Sequence, residues 1–173
     1  AGALKRDEDN LVRNRDVFVQ AGWDLTGTLA LDAGVRRSSV RFRTEDRFIV
    51  AGPPTNPDDS GSLSYTATSP VLGLTWRAAP DLNVYGNVGR GFETPTFTEL
   101  AYRSGGLTGL NTDLKAGRSR HVELGAKWRL NPAQRLDLAV FDIRTSDDLV
   151  VDTNTGGRTT FRNAGTTRRY GAE

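Results

Sequence analysis

Cysteine and methionine are absent from this 173-residue chain, and histidine occurs once. Without cysteine there is no disulfide framework and no thiolate metal site. Without methionine even at position 1, Ala1-Gly2 reads as neither an initiator nor a signal peptide, so the sequence is expected to be a segment of something longer. No apolar run approaches the roughly eighteen residues a spanning helix needs. That leaves a spanning β-barrel open, because its strands need only every second residue to be apolar. Charge of one sign is also missing. Lys plus Arg total 23, Asp plus Glu total 21, and the net +2 is too small to argue for nucleic acid.

Catalytic patterns are equally scarce. GxSxG, HExxH and the P-loop do not occur. Gly89-x-Gly91 lacks the third glycine and the following helix of a dinucleotide site. His121 and Glu123 alternate on one strand face, but no third metal ligand is evident. Glu93 with Glu99, or Asp147 with Asp148, could be read as a glycosidase pair, yet nothing in the sequence fixes either separation. No enzyme, metal or cofactor is expected.

What is present is a period of two. DVFVQAGW (Asp16 to Trp23) puts Val17, Val19, Ala21 and Trp23 on one face. The same alternation recurs in LALDAGVR from Leu29, PVLGLTWR from Pro70, LNVYGNVG from Leu82, HVELGAKW from His121 and a sixth strand through Leu136, Leu138 and Val140. A seventh, weaker strand is expected from about Thr159 to the end. No helix longer than a turn or two is expected.

The connections alternate in length. Leu25–Thr28, Ala78–Asp81 and Asn131–Gln134 are tight, built from Gly, Pro, Asn and Asp. Thr44–Ser62, Phe92–Arg118 and the shorter Asp152–Arg158 are the long ones. In an up-and-down meander this order collects the tight turns at one end and the long loops at the other. The three tryptophans, Trp23, Trp76 and Trp128, each fall on the apolar face just before a tight turn, hence at one height. That arrangement fits the aromatic girdle of a membrane barrel. The opposite faces carry Asp32, Arg36, Asn83, Asn87, Glu123, Lys127 and Asp137, which suit a wet lumen; an exposed sheet face would accept them equally well.

Three blocks carry a resemblance. VYGNVGRGFETPTFTELAY (Val84 to Tyr102), GLNTDLKAGRSRHVELGAKWRL (Gly109 to Leu130) and FRNAGTTRRYGAE (Phe161 to Glu173) resemble the C-terminal half of the barrel in TonB-dependent outer-membrane receptors. Ala116-Gly117 departs from the common Pro-Glu of that pattern, and Thr112 stands where Pro is frequent. Within the family the blocks look most like the subgroup containing the pyrroloquinoline-quinone receptor.

The resemblance implies an all-β antiparallel meander, about seven strands of a transmembrane β-barrel of about 22. Residues 1–173 would be one partial barrel domain, with the plug and remaining strands outside it. It also implies a bacterial outer-membrane receptor, bathed in outer-membrane lipid, for a scarce extracellular solute such as a ferric siderophore or a quinone cofactor. TonB would engage only through an N-terminal segment that this sequence does not contain. Candidate solute contacts are Arg90, Tyr102, Arg103 and Arg118, near the tops of the fourth and fifth strands, where guanidinium forks suit anionic oxygens and Tyr offers an aromatic face. The alternative is a soluble β-sandwich module binding carbohydrate or another ligand, which requires two apolar inner faces.

Overall fold

The computed structural model describes residues 4, 6–107 and 109–173. The chain runs up and down through β1 (Glu8–Asp24), β2 (Leu29–Asp46), β3 (Gly61–Ala79), β4 (Leu82–Glu93), β5 (Gly117–Asn131) and β6 (Gln134–Ser146). A hairpin of β7 (Leu149–Thr155) and β8 (Arg158–Asn163) follows, and β9 (Thr166–Ala172) then returns to pair with β6. The main sheet is antiparallel throughout, in the order β1-β2-β3-β4-β5-β6-β9. Seven strands in a meander is the architecture that the alternating pattern predicts.

The strands are longer than the apolar alternation alone marks. β2 and β3 stay paired from Leu29–Trp76 at the tight-turn end up to Thr44–Gly61, well above the last outward apolar pair. In the lower part the apolar residues face outward. In the upper part the alternation continues with its faces exchanged, Val40, Phe42, Leu63, Tyr65 and Ala67 inward against outward Ser, Thr and Arg, so a pattern followed on one apolar face stops short. The expected seventh strand divides in two. Gly156 and Gly157 both take positive φ, 61° and 78°, and close the β7–β8 hairpin. Consecutive positive φ is the geometry of the two-residue turns that match strand twist.

One face of the sheet is apolar. The register sets Trp23 across from Leu31, Leu29 across from Trp76, and Trp128 between Leu82 and Leu136. The three indoles therefore sit on one face close to the tight turns, and are 50%, 52% and 43% exposed, so none is a core residue. The Trp128 Nε1–H donates to Asp81 in the turn at 3.2 Å. Above them Val19, Leu72, Leu74, Leu124, Leu138 and Val140 are exposed as well. Burying one such side chain is worth about 1.5–3 kcal/mol, so water is a poor solvent for this face. Among the described residues no second sheet covers it, which is where the sandwich alternative parts from the structure.

The other face is polar and partly self-covered. Asp16 accepts from Arg36 Nε at 2.9 Å, and Tyr85 donates to Glu123 at 2.8 Å. Towards the long-loop end this face carries the hydrophobic cluster of Phe42, Tyr65, Leu100, Leu110 and Leu114. Phe42 meets Tyr65 and Phe97 edge-on, at centroid distances of 6.0 and 5.2 Å. The segment after β4 thus folds inward over β2 and β3 rather than standing free.

Candidate functional site

The inward fold of that segment begins with a one-turn helix, α1 (Phe97–Leu100). Pro95 ends the β4 ladder because it has no N–H to give, and its side chain is fully buried. Thr96 then caps α1. Its Oγ1 accepts from the Glu99 N–H at 3.4 Å, while the Glu99 carboxylate accepts from the Thr96 N–H at 2.6 Å. This is a reciprocal capping box. Leu100, on the last turn, is wholly buried in the cluster, and the Leu100 carbonyl accepts from Asn111 N–H at 2.8 Å. Tyr65 reaches up from β3 and donates its hydroxyl to the Leu114 carbonyl at 2.8 Å.

Immediately after α1, Tyr102 enters an inward-facing pocket of about 440 Å³. Two guanidiniums lie over its ring, Arg158 at 5.3 Å and Arg6 at 5.9 Å from the centroid. Such cation–π contacts hold a ring flat against the cations. Arg6 is bonded to Glu8, which raises its pKa above the ordinary value. Arg158 has no carboxylate partner among the described residues. Asp46 and Asp59 also line the pocket, but their oxygens are used by backbone. Asp46 accepts from the N–H groups of Phe48 at 2.9 Å and Asp59 at 3.2 Å, and Asp59 accepts from Gly109 N–H at 2.6 Å. The guanidinium left to receive an anion beside an aromatic face is therefore that of Arg158.

Arg103 faces a neighbouring groove of about 190 Å³, with Asn111, Phe161 and Arg162. Its Nη2 donates to Asp113 at 3.1 Å, and its Nε is buried with no partner among the described residues. A buried unmet donor beside a groove is a place where an acceptor atom from outside can sit.

Of the four expected contacts, Tyr102 and Arg103 thus lie together on the inward side. Arg90 and Arg118 do not join them. β4 alternates Val84, Val88, Arg90 on the tryptophan-bearing face, and β5 alternates Trp128, Val122, Arg118 on that same face. Arg6 and Arg158 were not legible as site residues: they come from opposite ends of the chain, and no local spacing links them. The Thr96-x-x-Glu99 capping box, just before Ala101 and Tyr102, also went unread in the sequence, where Glu99 stood only as a candidate carboxylate.

The other titratable groups are committed elsewhere. Glu99 is spent on the cap, and Asp148 accepts from Thr167 at 2.8 Å. Ser119 Oγ lies 2.7 Å from His121 Nε2, and among the described residues no cluster of three metal-binding side chains forms.

Comparison with known proteins agrees with this architecture. A family model described as TonB dependent receptor-like, beta-barrel matches residues 3–173. Among solved structures, a copper transporter, OprC, aligns with TM-score 0.77 at 16% identity, over 95% of this chain and 26% of that one. The ferric yersiniabactin uptake receptor FyuA from Yersinia pestis aligns with TM-score 0.71 at 20% identity, over 95% and 24%. The Serratia marcescens hemophore receptor HasR, solved with its hemophore HasA and heme, aligns with TM-score 0.69 at 22% identity, over 92% and 30%. The chain therefore spans between a quarter and a third of the length of these structures. It belongs to the TonB-dependent receptor family, as part of its β-barrel.

Proposed function

We propose that this member of the TonB-dependent receptor family forms part of the wall and inward loops of a bacterial outer-membrane transporter. In this reading the transporter takes up a scarce, anionic, partly aromatic solute, such as a ferric siderophore or a quinone cofactor. The apolar, tryptophan-edged face meets lipid, and the polar face lines the lumen. The tight turns lie on the periplasmic side and the long loops outside.

The observation that carries the solute class is the contact of Tyr102 with the guanidiniums of Arg6 and Arg158, with Arg103 and its unmet Nε next in the chain. An aromatic face flanked by planar cations suits a conjugated ring bearing carboxylate or catecholate oxygens. Copper, a ferric chelate and heme are named for the three similar structures, a spread of cargo that selects none for this chain.

The test is made on the intact receptor. Tyr102→Ala, Arg103→Ala and Arg158→Ala are compared with wild type for binding of ferric catecholates, ferric carboxylates, heme and pyrroloquinoline quinone, with receptor abundance in the membrane measured in parallel. At least one solute class is expected to bind about tenfold or more weakly at equal abundance, the loss of one charge-assisted contact. Unchanged affinity for every class in all three variants removes this pocket from the solute path.

A further inference from the structure

On the tryptophan-bearing face, Arg90 stands directly across from Arg120, Arg120 from Arg144, and Arg144 from Arg168. Four adjacent strands hold guanidiniums in one cross-strand row, at the upper edge of the apolar belt. Like charges placed opposite one another in a ladder repel. Among the described residues only one carboxylate meets the row: Asp142 accepts from Arg168 through both Nε and Nη2 at 3.0 Å, and from Arg144 at 3.3 Å. Among the described residues Arg90 and Arg120 have no ion-pair partner, and neither has Arg118, one outward position above Arg120.

These side chains surround a recess. The β3–β4 ladder stops at Val71–Gly89, and the strands part above it. There Arg90, Arg118, Arg120 and Arg144 line a groove of about 320 Å³, flanked by Thr68 and Phe92. A second groove of about 370 Å³ lies on the side towards the tryptophans, lined by Val122, Leu124, Val140 and Tyr170, with Arg168 and Asp142 on its arginine side. A recess of about 200 Å³ at Arg120, Val122, Asp142 and Arg144 shares lining with both.

We propose that this face seats a membrane lipid with a phosphorylated headgroup, its phosphates on Arg90, Arg118, Arg120 and Arg144 and an acyl chain along Val122, Leu124 and Val140. The two grooves together ask for a ligand anionic at one end and apolar at the other. A free anion leaves the apolar groove wet, and an uncharged lipid leaves the guanidiniums unmet. Arginine forks bind phosphate oxygens bidentately, and anionic charge offsets the repulsion along the row. The inference rests on the reading that the tryptophan-bearing face meets lipid.

The experiment uses the intact receptor in nanodiscs of phosphatidylcholine containing a small fraction of a bisphosphorylated glycolipid. Native mass spectrometry follows the glycolipid that stays bound, with the dephosphorylated glycolipid as a parallel arm. Arg90→Gln/Arg120→Gln is expected to lower retention about tenfold or more. Arg129→Gln/Arg135→Gln, a cross-strand pair near the other end of β5 and β6, is expected to leave it unchanged, and the dephosphorylated lipid is expected to be held weakly by all. If the glutamine pair does not fold, Arg90→Lys/Arg120→Lys keeps the charge, removes the fork, and is expected to lower retention severalfold. Equal retention in wild type and in the folded row variant overturns the inference while leaving the membrane reading standing. A wild-type receptor that does not enter nanodiscs overturns the membrane reading, and this inference with it.

Discussion

Asn163 holds both backbone groups of Lys115: its Oδ1 accepts from Lys115 N–H at 2.8 Å, and its Nδ2 donates to Lys115 C=O at 2.9 Å. The same Nδ2 donates to Asp147 C=O at 2.7 Å. A single amide thus behaves like a paired strand residue, fastening the segment before β5 to the base of the β7–β8 hairpin. Asn163 sits in the FRNAG block and Lys115 in the NTDLK block, so two of the three stretches that carry the family resemblance meet through this clamp.

Asn163→Leu is expected to free the segment 94–116 from the hairpin without dissolving the barrel. The substitution removes three hydrogen bonds, the two to Lys115 exposed and the one to Asp147 half-buried, and one such bond contributes about 0.5–1.5 kcal/mol. Limited proteolysis of the intact receptor in lipid should cut faster within 94–116, while heat-modifiable migration of the barrel is retained. Asn163→Asp is the sharper variant, since it keeps the acceptor and loses only the donor; proteolysis at the wild-type rate in both variants argues against the clamp.

The capping box gives a milder and more local expectation. Thr96→Ala removes the side-chain acceptor for Glu99 N–H and should cost about 1 kcal/mol. Because α1 aims the chain into the Tyr102 pocket, the loss is expected to appear as faster amide exchange at Leu100 and Ala101. Exchange in β5 and β6 is expected to stay at wild-type rates.

The tight turns and the tryptophan heights could be read before any coordinates, because each depends on neighbours within a few residues; the equally local Thr96-x-x-Glu99 box went unread. The apolar alternation gave the strands only where one face is greasy. Above Val35 on β2 the outward residues are Arg37, Ser39, Arg41 and Arg43, and there the apolar residues, Val40 and Phe42 with Leu63 and Tyr65 of β3, lie on the inward face under the core cluster. Asp152–Arg158, expected as a loop, is instead the end of β7, the Gly156-Gly157 turn and the start of β8, and Phe161 of that hairpin packs on the core cluster. The pocket was the least legible part, since Arg6, Tyr102 and Arg158 are brought together only by tertiary folding. Arg90 and Arg118 show the reverse: position at a strand top suggested solute, and register placed them on the tryptophan-bearing face.

Gly125 offers a test of the inner face. It lies directly across β4–β5 from Tyr85, whose ring fills the space a side chain would need; a Cβ there would come within 2.4 Å of the ring. Gly171 is covered in the same way by Phe141, at 2.9 Å. Gly125→Val should expel the Tyr85 ring, break its bond to Glu123 and destabilise the barrel by about 1–3 kcal/mol, the usual cost of overpacking. Tyr85→Ser in the same chain should restore most of that stability. A double-mutant cycle on thermal unfolding reads the coupling, and strictly additive effects would mean that the ring and the glycine do not share the space.

The orientation of the whole sheet can be decided by placing one charge on each of its two faces. Leu124 lies in the belt between Gly86 on β4 and Val140 on β6, while Asn87 lies on the opposite face, directly across from Glu123. An arginine at the midplane of the lipid face of a barrel costs about 2–4 kcal/mol. At Asn87 the new guanidinium would meet a carboxylate in a wet lumen, where an ion pair contributes at most about 1 kcal/mol in either direction. Leu124→Arg is therefore expected to lower the yield of heat-modifiable receptor in the membrane fraction, and Asn87→Arg to leave it near wild type. If the polar face met lipid instead, Asn87→Arg would be the damaging substitution and Leu124→Arg the tolerated one, so the rank order of the two variants fixes which side of the sheet is the outside.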